Sequence, residues 1–284
     1  MNNTADDISQ HLEARHIGFI GAGNMAGSLI RGLVARQVPG SQIHASDIDA
    51  DKLNQLAAEC GIQTSDMASL AGLADVIILS VKPQVMRDVC EQLAQHLARP
   101  DCLIISIAAG ISLQSLEQWL GAERPIVRCM PNTPALVGEG ASGLFANSHC
   151  NAEHQRLADV ILRAVGISCW LQAEKDIDTV TALSGSGPAY FFLLMEAMEQ
   201  AGTELGLSAD VARQLAVQTA LGAGRLAASS DVGPDELRRR VTSPGGTTEQ
   251  ALLSFARDDF ENIVARAMQA ARDRAAELAR ELAR

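Results

Sequence analysis

Gly21, Gly23 and Ala26, in the run GAGNMA, have the spacing Gly-x-Gly-x-x-Ala, and the chemistry that spacing serves is the binding of a pyrophosphate. The first glycine permits a tight turn, the second leaves the backbone bare to an approaching anion, and the small third residue lets a helix pack on the preceding strand. Asn24 and Met25, inside the fingerprint, open that helix, whose unpaired N-terminal amides face the anion. Context gives the match its weight, because it follows the apolar run HIGFI and precedes a segment carrying Leu29, Ile30, Leu33 and Val34. Asp47 stands 26 residues after Gly21, where an acidic side chain commonly accepts hydrogen bonds from the adenosine ribose of NAD and repels a 2′-phosphate. The same residue is equally well placed as a turn former or N-cap before residues 49–59, and both readings stay open. No arginine follows closely, although Ser46, the backbone or Lys52 a helix turn further on could still bind a 2′-phosphate.

Ligands of open α/β sheets bind beyond the carboxyl ends of the strands, and three further loops fall there. Lys82 and Pro83 follow the fourth apolar run, Ala108 to Gly110 the fifth, and Met130 to Pro134 the sixth. Two prolines stiffen the last loop around Asn132 and Thr133, as suits a backbone held against a planar ring. In the second half of the chain, VTSPGGTTEQALLSF places two glycines before Thr247, whose spacing to Gln250 predicts a capping box at a helix start. Free amides there would bind a carboxylate well; a loop with an N-cap and no ligand is the alternative. Ser186, in SGSGPAY, lacks the Gly-x-Ser-x-Gly context of a nucleophile elbow, and Arg238 to Arg240 read as a solvated or interfacial helix face.

These loops need a scaffold, and the length supplies one: 284 residues predict about two domains. Apolar residues at 47% and charged residues at 20% place the chain among globular proteins, and the 3% of aromatics leaves the core to Ala, Leu, Ile and Val. The net charge of -11 repels polyphosphates, so nucleic acid is not an expected partner. No basic flank leads into an apolar segment at the N-terminus and no window approaches a membrane span, so a cytoplasmic protein is expected. Cys60, Cys90, Cys102, Cys129, Cys150 and Cys169 lie too far apart for zinc knuckles or redox pairs, and reduced, mostly buried thiols follow, with no metal site.

From residue 16 to about 172 short apolar runs alternate with helix-length segments, which predicts βα units around a largely parallel, doubly wound sheet of the Rossmann type. Strands are expected at about 16–20, 43–46, 62–64, 75–81, 103–108, 126–130, 143–146 and 168–171. Val85, Val89, Leu93 and Leu97 predict one apolar stripe on a helix starting just after Pro83. Beyond Ala173 strand signals vanish, and helices are expected over 188–205, 209–228, 234–241, 248–257 and 259–284. The division is therefore a short extension over 1–15, a dinucleotide-binding domain over 16–172 and an all-helical domain over 173–284. YFFLLM, Tyr190 to Met195, is apolar on every helical face, more than a helical domain of this size can bury alone, and it points to a subunit interface.

In the order IGFIGAGNMA, VKPQ, SIAAGI, MPNTPALV, SGSGPAY and VTSPGGTTE, the sequence resembles the pyrroline-5-carboxylate reductases over nearly its whole length from His16. The resemblance implies a Rossmann domain followed by a helical domain that dimerises by interleaving helices, often assembled further into a pentamer of dimers. It implies NADPH or NADH as hydride donor to 1-pyrroline-5-carboxylate, giving L-proline, in a substrate pocket built at the dimer interface. Carried over by position, the Thr248 hydroxyl hydrogen-bonds the substrate ring nitrogen, while Ser243, Gly245, Gly246 and Thr247 form the loop holding its carboxylate. Asp231 stands where relatives often have Glu, considered a water-bridged proton relay, and Asp47 where they often have Ser or Thr. No His or Lys in the motifs is placed as an acid, which suits binding of an already protonated imine, oriented by Thr248 and the helix start. A β-hydroxyacid dehydrogenase would use a lysine on the first helix of its second domain, and none occurs between Ser184 and Glu204. A dinucleotide-sensing regulator would need no glycine-rich anion loop at 243–248.

Overall fold

The computed structural model describes residues 4–121 and 123–282. Four-residue apolar runs form the centre of one eight-stranded sheet because both of its faces are covered: β1 (Ile17–Ile20), β4 (Val76–Leu79) and β5 (Leu103–Ser106) are buried at every position. With β2 (Ile43–Ser46), β3 (Gln63–Thr64), β6 (Ile126–Met130), β7 (Gly140–Ala146) and β8 (Gly166–Trp170), the strand order is β3-β2-β1-β4-β5-β6-β7-β8. All neighbours are parallel except β6 and β7. The chain leaves β1 toward β2 on one side and returns to β4 on the other, so the crevice between β1 and β4 is the topological switch point.

Helices α1 (Thr4–His11), α2 (Asn24–Ala35), α3 (Ala50–Cys60), α4 (Met67–Leu73), α5 (Met86–Ala94), α6 (Leu113–Leu120) and α7 (Ala152–Arg163) cover the sheet. Ile8, Leu12, Leu29, Leu33, Leu56 and Ile161 belong to one buried cluster; Leu70, Met86, Cys90, Leu93 and Leu116 belong to the other. Polar side chains mark the helix starts: Asp49, Asp66 and Ser112 each accept the amide three residues on. Asn151 and His154 cap reciprocally. Ile8 of α1 and Leu12 in the turn that follows it are buried in the first cluster. Of the stripe expected after Pro83, Val89, Leu93 and Leu97 pack on the second cluster, and the expectation is corrected at Val85, which is exposed at the end of a 3-10 turn over Pro83–Val85; Met86 and Cys90 complete the buried face. A strict four-residue step drifts around a helix of 3.6 residues per turn, which is why the buried face follows a mixed spacing.

Past β8 come α8 (Asp176–Val180), a π-turn at Thr181–Gly185, α9 (Gly187–Glu204), α10 (Ala209–Ala228), α11 (Pro234–Arg240), α12 (Thr247–Arg257) and α13 (Phe260–Leu282). One compact unit takes in residues up to Gly185 together with those from Ala271 onward; the other is Ser186–Ala270. The first unit thus runs past the change of pattern at Ala173, because α8 packs on β6 and β7. Gly143 of β7 lies so close to Val180 that a Cβ there would sit 2.8 Å from it. In the second unit α9 and α10 pack through small residues: Ala212 and Ala216 are buried, and a Cβ on Gly202 would meet that of Ala212 at 3.3 Å. The remaining apolar surface of α9 is open, with Phe191, Phe192 and Leu193 each over 60% exposed (63%, 62% and 66%).

Candidate functional site

The glycine turn occupies the switch point. Gly21 has φ +96° and a Cβ there would lie 2.8 Å from the Ser80 carbonyl oxygen, so both conformation and space require glycine. Its amide donates to the Ser46 carbonyl at 2.7 Å, joining the ends of β1 and β2. Above Gly23 nothing lies within 4 Å of an added Cβ, and Gly23 is the N-cap of α2 without a side-chain cap. The first intrahelical bond runs from the Gly27 amide to the Gly23 carbonyl at 2.8 Å, so the amides of Asn24, Met25 and Ala26 have no intrahelical acceptor. The first turn of α2 carries no acidic residue, and Ala26 is fully buried against the sheet. Open space, bare backbone and an uncapped helix start fit a dinucleotide pyrophosphate.

Asp47 is held in place from two directions: Oδ2 accepts the Ala22 amide at 2.5 Å and Oδ1 the Asp49 amide at 2.8 Å. Capping of α3 falls to Asp49, whose carboxylate accepts the Lys52 amide at 3.1 Å. Ser46 is partly buried at the end of β2, beside the turn, and Ile48 is fully exposed. Lys82 is exposed and caps the 3-10 turn begun by Pro83. Ala108 is partly buried in the loop leaving β5. The Asn132 side chain braces the sheet edge, donating through Nδ2 to the Ser184 carbonyl at 3.1 Å and accepting the Ala141 amide at 2.8 Å.

Sequence reasoning passed over two groups at this edge. The Ser80 hydroxyl lies 2.9 Å from the Ile20 carbonyl and 2.7 Å from that of Gly21, sharing its one proton between the two sides of the turn. A hydroxyl ending an apolar run was its only local signal. Glu174 Oε1 accepts from buried Arg128 Nη1 at 2.5 Å and from the Leu113 amide, the first of α6, at 2.7 Å. That contact spans 46 and 61 residues and leaves no mark on local spacing. Close by, burial raises the Asp178 carboxyl above its ordinary value, and Arg128 opposes the shift. Burial also pushes the Cys90, Cys102 and Cys129 thiols up to about 12, which makes them inert. Among the described residues no group of three or more His, Cys, Asp and Glu could hold a metal ion.

In the second unit, VTSPGGTTE forms a second exposed helix start. Gly245 has φ +71° and the Gly246 amide closes a turn on the Ser243 carbonyl at 3.0 Å. The expected capping box is corrected here: the N-cap is Gly246, Thr247 is already the first helical residue, and Gln250 donates its amide to the Gly246 carbonyl at 3.2 Å. Glu249 reaches back instead, accepting the Gly245 amide at 2.8 Å. The left-handed Gly245 starts the helix one residue early, which frees both threonine hydroxyls from capping. Ser243, Thr247 and Thr248 are exposed, and the amides at the start of α12 lack intrahelical acceptors. Asp231, also exposed, lies in the turn between α10 and α11. Arg239 and Arg240 pair with Glu236, and Arg238 lies 3.9 Å from Glu261, all on the exposed face of α11.

Residues 174–278 match the family described as "Pyrroline-5-carboxylate reductase dimerisation", and residues 16–110 that described as "NADP oxidoreductase coenzyme F420-dependent". A pyrroline-5-carboxylate reductase of Pseudomonas aeruginosa is 57% identical over 267 residues, 94% of this chain and 97% of the relative. The structure of a pyrroline-5-carboxylate reductase from Coxiella burnetii superposes with a TM-score of 0.91 at 43% identity, covering 94% of this chain and 99% of that one. That of Plasmodium falciparum pyrroline carboxylate reductase, with NADP bound, does so with a TM-score of 0.81 at 31% identity, over 94% and 99%.

Proposed function

The chain belongs to the pyrroline-5-carboxylate reductase family, and on that premise we propose how its residues divide the reduction of 1-pyrroline-5-carboxylate to L-proline, the closing reaction of proline biosynthesis. It is an NAD(P)H-dependent oxidoreductase acting on a C=N bond. The observation that carries the division of labour is that in each compact unit one of the glycine-rich motifs forms an exposed helix start without a side-chain cap, GAGNMA at α2 in the first and VTSPGGTTE at α12 in the second.

The nicotinamide coenzyme supplies the hydride. Gly21, Gly23, Asn24, Met25 and Ala26 hold its pyrophosphate with backbone amides, and Ser46 and Asp47 meet the adenosine ribose. Lys82, Pro83, Ala108 and Asn132 form the rest of the coenzyme edge; Asn132 contributes the shape of its loop, since its amide is already engaged. The α12 start binds the substrate carboxylate: Ser243 and Thr247 donate, while Gly245 and Gly246 contribute the shape of the turn, their own amides being taken by Glu249 and by the Ser243 carbonyl. Thr248 offers its hydroxyl to the ring nitrogen, and Asp231, through water, passes a proton to the neutral amine that hydride addition to the iminium leaves. The imine arrives protonated, so the protein's task is to orient the iminium rather than to create it.

The active form is a homodimer, with a pentamer of dimers as its larger assembly, in the cytoplasm; the open apolar face of α9 supports the dimer. Residues 16–172 serve the coenzyme and 173–284 dimerisation and substrate. Oxidation of NADPH and of NADH, followed by loss of the reduced nicotinamide absorbance, tests the reading when 1-pyrroline-5-carboxylate is added. Turnover yielding proline supports it, and tight coenzyme binding without turnover would leave a sensor instead.

A further inference from the structure

The loop leaving β5, Ile107–Gly110, is fastened at both ends and in its middle. At its start the Ile107 amide donates to the Leu79 carbonyl at 3.1 Å, which continues the sheet register. Past its end, the Leu113 amide donates to Glu174 Oε1 at 2.7 Å; that carboxylate also takes buried Arg128 at 2.5 Å, so it is itself fixed. The middle is pressed by the last turns of α13. A Cβ on Gly110, at φ +76°, would lie 2.9 Å from Leu282 Cδ1 and 3.6 Å from the Ala279 nitrogen. Leu282 packs on the same buried cluster as Ala108, Ile111 and Leu113. Neither Glu174 nor Leu282 belongs to the coenzyme edge proposed above; each acts on the loop from outside it.

We infer that Glu174 and Leu282 are positioning residues for the reduction, clamping the β5–α6 loop in the shape that the coenzyme contacts. This rests on the reading of Ala108 as a coenzyme contact. A loop of small residues, Ala108, Ala109 and Gly110, has no side chains long enough to hold itself, so its shape must come from the surfaces packed on it. Closely packed surfaces transmit small displacements rather than absorbing them. Loss of the Leu282 contact is therefore expected to appear in coenzyme affinity, while the α12 loop, which belongs to the other compact unit, keeps its hold on the substrate.

The test compares Leu282→Ser, Leu282→Met and Glu174→Gln in the full chain, reading coenzyme Kd, KM for both substrates, kcat and Tm. Leu282→Ser is expected to raise coenzyme Kd and KM on the order of 10-fold, below the roughly 100-fold that a 1 Å misplacement can cost. KM for pyrroline-5-carboxylate should stay put, and Leu282→Met should restore the coenzyme values. Glu174→Gln keeps an acceptor for the Leu113 amide and should shift coenzyme affinity the same way; because it also leaves Arg128 without its charge partner, the Leu282 pair decides if it fails to fold. Ala108→Glu separates the two levels of the argument. If Ala108→Glu abolishes coenzyme binding while Leu282→Ser leaves it at the wild-type value, the clamp is wrong and the loop reading stands. If Ala108→Glu binds coenzyme normally, the loop reading falls and takes the clamp with it. A lower Tm in Leu282→Ser with unchanged coenzyme Kd would also overturn the proposal, by making the contact one of stability alone.

Discussion

Asp47 Oδ2 accepts the backbone amide of Ala22 at 2.5 Å, so the carboxylate at the end of β2 holds the middle of the glycine turn. One side chain thus braces the turn and carries the proposed contact with the adenosine ribose. The two roles are separable, because bracing needs an acceptor and repulsion of a 2′-phosphate needs a charge. Asp47→Asn keeps an oxygen for Ala22 and loses the charge; Asp47→Ser loses the reach as well. Both should raise the NADPH to NADH ratio of kcat/KM, and Asp47→Ser should in addition weaken both coenzymes, by roughly 10-fold or more for a lost hydrogen bond to a charged group. An unchanged ratio in both variants would reduce Asp47 to a brace.

Phe191, Phe192 and Leu193 of α9 are open on the surface of the single chain, and the residues that α10 buries are the small Ala212 and Ala216. Phe192→Asp places a charge on that face, and burial of an unpaired charge costs several kcal/mol. The variant should lose the dimer and its activity together at micromolar concentration. Light scattering alongside the coenzyme-oxidation assay checks this, and a fully active 30.0 kDa species in the wild type would remove the dimer from the mechanism.

At the opposite end of the strands from the glycine turn, His44 Nε2 lies 3.2 Å from His16 Nδ1, and its Nδ1 3.3 Å from Ser65 Oγ. Burial, then the neighbouring His16, lowers the His44 pKa from its ordinary 6.5. The unfolded chain thus binds a proton at a pH where the folded chain does not, and stability must fall as pH drops through about 6.5 and level off below the folded value. Tm measured between pH 8 and pH 5 should decline in that window, and His44→Asn should flatten the decline. A Tm that stays level through the window would show that the pair has no such effect. Asp75, which accepts the His16 amide at 2.8 Å and faces Arg15 and Arg99, is unaltered in this comparison.

What the sequence made legible was local. The runs at 17–20, 76–79 and 103–106 announce buried parallel strands because every position but Ser106 is apolar or glycine, and the glycine turn is readable because Gly21 and Gly23 are required by backbone shape and open space. Contacts that join distant segments were not legible. Glu174 meets α6 and β6 across the sheet edge, Ser80 holds a turn that begins 59 residues earlier, and Leu282 reaches Gly110 from the far end of the chain. The α12 start lies between these cases: its position follows from VTSPGGTTE, but which residue caps it depends on the left-handed turn at Gly245, and Thr247 and Gly246 are equally consistent with the spacing.

Thr248 is exposed on the first turn of α12, and its hydroxyl is not needed for capping, because Glu249 closes that end of the helix on the Gly245 amide. That division allows a clean test of the substrate loop. Thr248→Ala removes one hydrogen bond to a charged or polar group, worth about 1.5 to 3 kcal/mol, and should lower kcat/KM for pyrroline-5-carboxylate by roughly 10 to 150-fold. Alanine is at least as good a helix former as threonine, so α12 should persist and Tm should hold. Coenzyme affinity should hardly move, since the glycine turn belongs to the other compact unit. Glu249→Ala provides the contrast: it frees the Gly245 amide and loosens the turn, and should raise KM with little loss in kcat. Wild-type kcat/KM in Thr248→Ala, or loss of coenzyme binding in its place, would take the ring nitrogen away from Thr248 and the α12 start away from the substrate.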